Sequence, residues 1–114
     1  MIAIIFEVWP HKEHKEGYLS MAAEMRALLE TIDGFISVER FQSLTDPDKL
    51  LSLSFFRDEE AVDRWRNTAA HREAQKAGRS TFFDRYRIRV VSTLRDYSHE
   101  ERDEVPSDSV AVHG

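Results

Sequence analysis

The hydrophobic period of this sequence changes along the chain, and the order of those changes is the feature that most limits its fold. Residues 2–9 are rich in β-branched and aromatic side chains and predict a strand, which Pro10 closes because proline cannot continue a ladder. Residues 13–32 carry apolar side chains at the i, i+3, i+4, i+7 spacing of one helix face. Gly34 follows, where a left-handed helix cap favours glycine. The chain therefore begins with a predicted strand and helix.

A β-hairpin is predicted next. Residues 35–43 return to a two-residue alternation, which is typical of a strand. Asp46-Pro47-Asp48 follows, and proline fits position i+1 of a type I turn after an aspartate at position i. The apolar run at residues 50–57 should therefore return antiparallel to the preceding strand.

Residues 58–78 predict a second helical region. Asp58 is a suitable N-cap because its short acceptor side chain is followed by two glutamates, whose charges complement the helix dipole. The polar pair at residues 67–68 is expected to break this helix and to cap a second segment at residues 69–77. Gly78 would end that segment.

Residues 84–97 alternate again and predict a final strand, so the complete order is β-α-β-β-α-β. This order is typical of an α+β protein of the ferredoxin-like, split β-α-β class, in which helices cover one face of a four-stranded antiparallel sheet. We expect one domain at residues 1–97. Residues 98–114 are polar and acidic and are expected to form a C-terminal tail.

The predicted strands are apolar on both sides, although two helices can cover only one sheet face. Monomers rarely expose an apolar patch larger than a few hundred Å². We therefore predict an isologous homodimer through the sheet faces, in which two subunits form a closed or nearly closed β-barrel.

Composition narrows the possible functions. The 114 residues contain no cysteine, which excludes disulfides, thiolate metal sites and a cysteine nucleophile. The net charge of -5 disfavours nucleic acid as a partner, because phosphate binding depends on clustered Lys and Arg. The apolar N-terminus has no basic region or cleavage signal and is too short to span a bilayer, so we expect no membrane partner and a cytoplasmic location.

Three parts of the sequence together resemble a known family. They are IIFEVWP, the stretch from DGF through ER and DP to LLSLSFFRDEEAVDRWR and HREAQ, and YRIRVVSTLRDY. With these elements, residues 2–97 resemble the antibiotic biosynthesis monooxygenase (ABM) family of dimeric α+β barrel proteins. The resemblance implies a ferredoxin-like subunit, a sheet-mediated dimer and a cavity between the sheet and the second helical region. Members include oxygenases that oxidise anthrones or quinols without metal or flavin, and haem-degrading enzymes.

The candidate site lies on residues 58–78. Trp65 matches a tryptophan that the family often places at the cavity, where an indole can stack on a planar substrate; the alternative is a core tryptophan. His71 is the candidate catalytic residue because a histidine with an ordinary pKa can take a proton from a phenol, or hold the resulting anion. The alternative is a helical histidine without a catalytic role. Gln75, at i+4 from His71, is a candidate substrate-orienting donor.

Glu7 and Arg40 are charged residues within otherwise apolar strands. A charge that points inward needs a partner or a role, so both are candidate substrate-binding groups of the cavity. The alternative, which we favour, is that they form structural ion pairs, for example with Arg87 or Arg89. No metal site is predicted, because a closed metal site needs three or four ligands and no such set is evident in the sequence.

The resulting hypothesis is a cofactor-independent monooxygenase that acts on a planar aromatic or quinol-like small molecule. A non-catalytic dimer that binds a small molecule in the same cavity is the second possibility. A haem-binding or haem-degrading protein is the third, and the resemblance disfavours it because Gln75 stands where haem-degrading members have their axial histidine. These members also use an asparagine on the first strand, where residues 7–9 are Glu, Val and Trp. His71 could compensate from one turn earlier.

Overall fold

The sheet consists of four antiparallel strands: β1 (Ile2–Pro10), β2 (Phe35–Gln42), β3 (Leu50–Phe56) and β4 (Phe83–Ser92). Their order is β2-β3-β1-β4. The two helices are α1 (Lys15–Leu29), which a short 3-10 helix at Lys12–His14 precedes, and α2 (Glu59–Arg66). The computed structural model describes residues 1–68, 71–73, 76 and 82–108. The predicted α+β, ferredoxin-like fold is confirmed.

Strand β4 is shorter than predicted. It ends at Ser92 rather than at residue 97, because Ser92 pairs with Ile2, the first residue of β1. The amide of Thr93 donates to the carbonyl of Met1 at 2.9 Å, just past the last pair of this ladder. Among the described residues, no strand pairs with the chain that follows Ser92.

The hairpin turn between β2 and β3 forms where the sequence predicts it. The amide of Lys49 donates to the carbonyl of Asp46 at 3.1 Å, and the amide of Asp48 donates to Asp46 Oδ1 at 3.0 Å. Gln42 Nε2 also donates to carbonyl oxygens across the turn, including that of Lys49 at 3.1 Å. These bonds fix the register in which β3 returns along β2.

The pairing register divides the sheet into two faces. On one face, which we call the inner face, Ile2, Phe56 and Val38 pack with Val62 and Trp65 of α2 in the buried core. The opposite, outer face carries the alternate residues, and no helix among the described residues packs on it. The contrast follows from the two-residue period of a strand, since successive side chains point to opposite sides.

Gly34 lets α2 approach the start of β2. Its φ of 91° lies in the left-handed region, and a Cβ at this position would lie 2.6 Å from the Cβ of Ala61. Glycine is therefore required both by the backbone conformation and by the contact with the helix. Among the described residues, no helix is long and apolar enough to cross a membrane.

Candidate active site

The first turn of α2 is fixed by its cap. Asp58 has an extended backbone and its Oδ1 accepts a hydrogen bond from the amide of Ala61 at 2.9 Å, which confirms the predicted N-cap. Ala61 and Val62 are buried against the sheet, and Trp65 follows on the same side of the helix with 6% of its surface exposed. The cap and the apolar stripe together place Trp65 over the inner face.

Thr68 redirects the chain after α2 ends at Arg66. Its hydroxyl donates to the carbonyl of Trp65 at 2.9 Å and accepts a hydrogen bond from the amide of His71 at 3.1 Å. Residues 71–73 are helical again. The predicted break at residues 67–68 is thus confirmed, and it fixes the backbone of His71 relative to Trp65.

The rings of Trp65 and His71 are in contact. Their centroids lie 4.8 Å apart and their planes are inclined by 57°. The pKa of His71 is lowered to about 4, mainly by burial and to a smaller extent by the positive charges of Arg66 and Arg72. The imidazole is therefore neutral at pH 7 and has one free lone pair to accept a proton.

A cavity of about 840 Å³ lies between the inner face and the helices, and both rings line it. Its walls are mainly apolar and include Ile4, Phe6, Met21, Met25, Phe83 and Ile88. A volume of this size is typical of a small-molecule site.

Arg40 brings a positive charge to this cavity from β2. Its Nη2 donates to the carbonyl of Ala22 on α1 at 3.3 Å. Its Nε is buried and has no hydrogen-bond partner among the described residues. The structural ion pair that we favoured for Arg40 is not formed among the described residues, because Arg40 faces the cavity on the inner side of the sheet, whereas Glu7 pairs with Lys49 and Arg89.

Tyr18 is a lining residue that the sequence did not single out. It belongs to the apolar stripe of α1 and is 3% exposed. Burial raises the pKa of its phenol, and the neighbouring Arg40 opposes that shift through its charge and a hydrogen bond. The only signal in the sequence was a hydroxyl in an otherwise apolar stripe, which has to find a partner when buried.

Glu7 lies on the outer face and does not line this cavity. Its carboxylate forms salt bridges with Lys49 and with Arg89, and 17% of its side chain is exposed. The hydrogen bond from Lys49 is the main cause that lowers the pKa of Glu7, and burial opposes it. The structural ion pair is therefore the role that the geometry supports, and we remove Glu7 from the cavity residues.

The family is decided by comparison with known sequences. The sequence model described as antibiotic biosynthesis monooxygenase matches residues 1–77, which is more than half of the chain. The chain belongs to this family. The match covers β1 to β3, both helices and the segment that carries His71.

Two curated relatives align with this ABM chain over 90 residues each. One is named "Jasmonate monooxygenase ABM", from Pyricularia oryzae, and is 46% identical over 79% of this chain. The aligned region is 42% of that relative, so the chain spans less than half of its length. The other, YqjZ of Bacillus subtilis, is an uncharacterized protein that is 29% identical over 78% of this chain and 76% of its own length.

Solved structures share the ABM fold at low identity. A putative antibiotic biosynthesis monooxygenase from Deinococcus radiodurans has a TM-score of 0.78 at 12% identity and covers 86% of this chain and 97% of its own. Rv0793 from Mycobacterium tuberculosis has a TM-score of 0.77 at 16% identity and covers 85% of this chain and 98% of its own. At these identities the likeness shows the fold alone.

The structure thus brings three of the candidate site residues to one cavity: Trp65, His71 and Arg40. Glu7 lies on the other side of the sheet, and Gln75 lies outside the described residues. Trp65 is a core residue that also lines the cavity, and its stacking on a substrate stays a prediction.

Proposed function

We propose that this chain is a cofactor-independent monooxygenase that oxidises a small organic molecule held in the cavity. The observation that carries the proposal is the pair formed by Trp65 and His71, whose rings are in contact at the wall of a cavity of about 840 Å³ in an ABM chain. The indole offers an apolar surface for a planar substrate, and the neutral imidazole offers a proton acceptor beside it.

The chemistry that this pair can support begins with proton transfer. His71 accepts a proton from the substrate, which is a quinol or a ring with an acidic methylene group. The resulting electron-rich anion reduces dioxygen. For a methylene substrate, one oxygen atom forms the new carbonyl, and the other leaves as water with the two hydrogens of the methylene group.

A pKa of about 4 makes His71 a weak base in the empty cavity. An anion formed next to the imidazolium would stabilise it, because opposite charges at short distance favour both ionised forms. Proton transfer and anion formation are therefore coupled in the proposed step. The mainly apolar walls of the cavity strengthen that coupling because they screen charges less than water does.

The proposal is tested by following oxygen consumption with a panel of quinols, anthrones and jasmonate, the last because a 46% identical relative carries that name. The His71→Ala variant should lose most of the rate. The control is His99→Ala, because the side chain of His99 is 88% exposed and does not line the cavity. Equal rates for His71→Ala and wild type would remove His71 from the mechanism. Binding without any oxygen consumption would favour the non-catalytic dimer.

We also propose that the protein forms a homodimer through its outer face. Support comes from apolar side chains on that face, which no described helix covers, among them Ile5, Leu53 and Phe55, together with Phe41, which is 41% exposed. Sedimentation equilibrium should give twice the mass of one chain. A mass of one chain at micromolar concentration would contradict this assembly.

A further inference from the structure

The charged groups around the cavity differ in their access to water. Glu59, Asp63 and Arg66 line it from α2, and all three are exposed. Arg40 lines it from the sheet and is only half-exposed. Its guanidinium is therefore the positive charge that a molecule inside the cavity would meet at the inner face.

Among the described residues, this guanidinium lacks the partners that a partly buried charge needs. Its described protein bonds are to the carbonyl of Ala22 at 3.3 Å and to the phenol of Tyr18, and both partners are uncharged. Its buried Nε has no acceptor, and no described carboxylate forms a salt bridge with it. A buried donor without an acceptor destabilises a fold, and so does a partly desolvated charge without a counter-charge. A ligand that brings an anionic acceptor would satisfy both.

We propose that Arg40 binds the carboxylate of an acidic substrate, so that the cavity takes an organic acid with an apolar ring body. The inference rests on the proposed function and names the substrate class for the same site. A carboxylate fits a guanidinium because its two oxygens match two parallel N–H donors. The apolar body of the acid contacts the walls formed by residues such as Ile4, Phe6 and Trp65.

Tyr18 supplies a second donor at this end of the cavity. Its phenol lies beside Arg40, and burial raises its pKa, so it keeps its proton at neutral pH. A protonated phenol next to a guanidinium can donate to the same carboxylate. The two side chains come from α1 and β2, so the proposed anchor depends on the fold that brings these elements together.

The proposal is tested with naphthylacetate and its methyl ester, which share one apolar ring system and differ in charge. Isothermal titration calorimetry on the wild-type protein should show that the acid binds at least about tenfold more tightly, as expected for hydrogen bonds to a charged group. Equal affinities for acid and ester would overturn the proposal. So would a failure of the acid to bind.

Two variants test whether Arg40 causes the preference for the acid over the ester. Arg40→Gln should reduce the preference for the acid to near unity and leave the affinity for the ester within about threefold. Arg26→Gln is the matched control, because Arg26 is an exposed arginine of α1 that does not line the cavity. Its acid preference should equal that of wild type. A preference that survives in Arg40→Gln, or that disappears in both variants, would overturn the assignment to Arg40.

Circular dichroism melting curves establish that each variant is folded, and the comparison of acid with ester on wild type needs no variant at all.

The outcome of this binding test is separable from that of the proposed function. Preference for the acid without oxygen consumption would support the carboxylate site and contradict the monooxygenase. Oxygen consumption without that preference would do the reverse.

Discussion

The two faces of the sheet differ in whether their charged residues have partners of opposite charge. On the outer face, the carboxylate of Glu7 is paired with Lys49 and Arg89. On the inner face, the partners that Arg40 has among the described residues are uncharged, and its buried Nε has no acceptor there. Both residues interrupt apolar strands, and only the supply of counter-charges distinguishes them. A charge that the fold neutralises is structural, whereas a charge that it leaves incomplete is available to a ligand.

The largest expected effect concerns packing on the two faces, and adjacent phenylalanines of β3 provide the comparison. Phe56 is fully buried on the inner face, and Phe55 is half-buried on the outer face. Phe56→Ala should lower the free energy of unfolding by about 3–5 kcal/mol, because it leaves a cavity in the core. Phe55→Ala should cost less than half as much in the monomer. Urea unfolding curves measure both.

Protein concentration sharpens this test. If outer faces pair in a homodimer, the cost of Phe55→Ala should rise with protein concentration, since binding of the folded form shifts stability by mass action. The cost of Phe56→Ala should change little. Equal costs for the two variants in dilute protein would show that the faces are packed alike and would remove the contrast.

A second prediction compares removal of the charge of Glu7 with removal of the charge of Arg40. Glu7→Gln should lower the melting temperature at pH 7, because Lys49 and Arg89 lose their shared counter-charge, and should leave binding of naphthylacetate unchanged. Arg40→Gln should change the binding of naphthylacetate strongly and the melting temperature only slightly. A loss of acid binding in Glu7→Gln would show that the outer-face charge does contribute to the site.

The effect of Glu7→Gln should depend on pH. The pKa of Glu7 is lowered in the folded protein, mainly by the hydrogen bond from Lys49, so its stabilising effect is present above the ordinary value of 4.5 and is lost as the pH falls through the folded value. The melting temperatures of wild type and variant should therefore converge below pH 4.5. A constant difference down to pH 3 would contradict the ion-pair explanation.

The smallest effect is a shift in the titration of His71. Nuclear magnetic resonance should give a midpoint near the pKa of about 4, well below the 6.5 of an ordinary histidine. Naphthylacetate should raise this midpoint, because a carboxylate in the cavity favours the imidazolium. Since the folded pKa is lowered, burial of neutral His71 costs no stability above pH 6.5 and destabilises the fold as the pH falls toward 4. A midpoint near 6.5 would mean that water surrounds the ring.

The sequence predicted the fold well because the apolar period, the turn at Asp46 and the cap at Asp58 are local signals. It placed the end of β4 too late, because the end depends on where β1 begins at Ile2. The end of β4 is thus determined by its partner strand β1, which is distant from it in the sequence.

Prediction of the site was less complete. Trp65 and His71 follow from helical spacing and the family resemblance, and the structure brings both to the cavity. The sequence could not separate Glu7 from Arg40, because each is one charge in an apolar strand and the register decides which face it occupies. Tyr18 was missed for the same reason, since its role depends on a neighbour from another element.

The pairing of Ile4 with Ser54 and of Phe6 with Ser52 has a consequence for evolution and design. Both serines line the cavity, so part of its space exists because β3 carries short side chains opposite long ones. Replacing one serine by valine or leucine would shorten the cavity without altering the sheet, whereas glycine would deepen it. Ser52 and Ser54 are therefore two positions at which the size of the cavity can be changed without changing the residues proposed to bind the ligand.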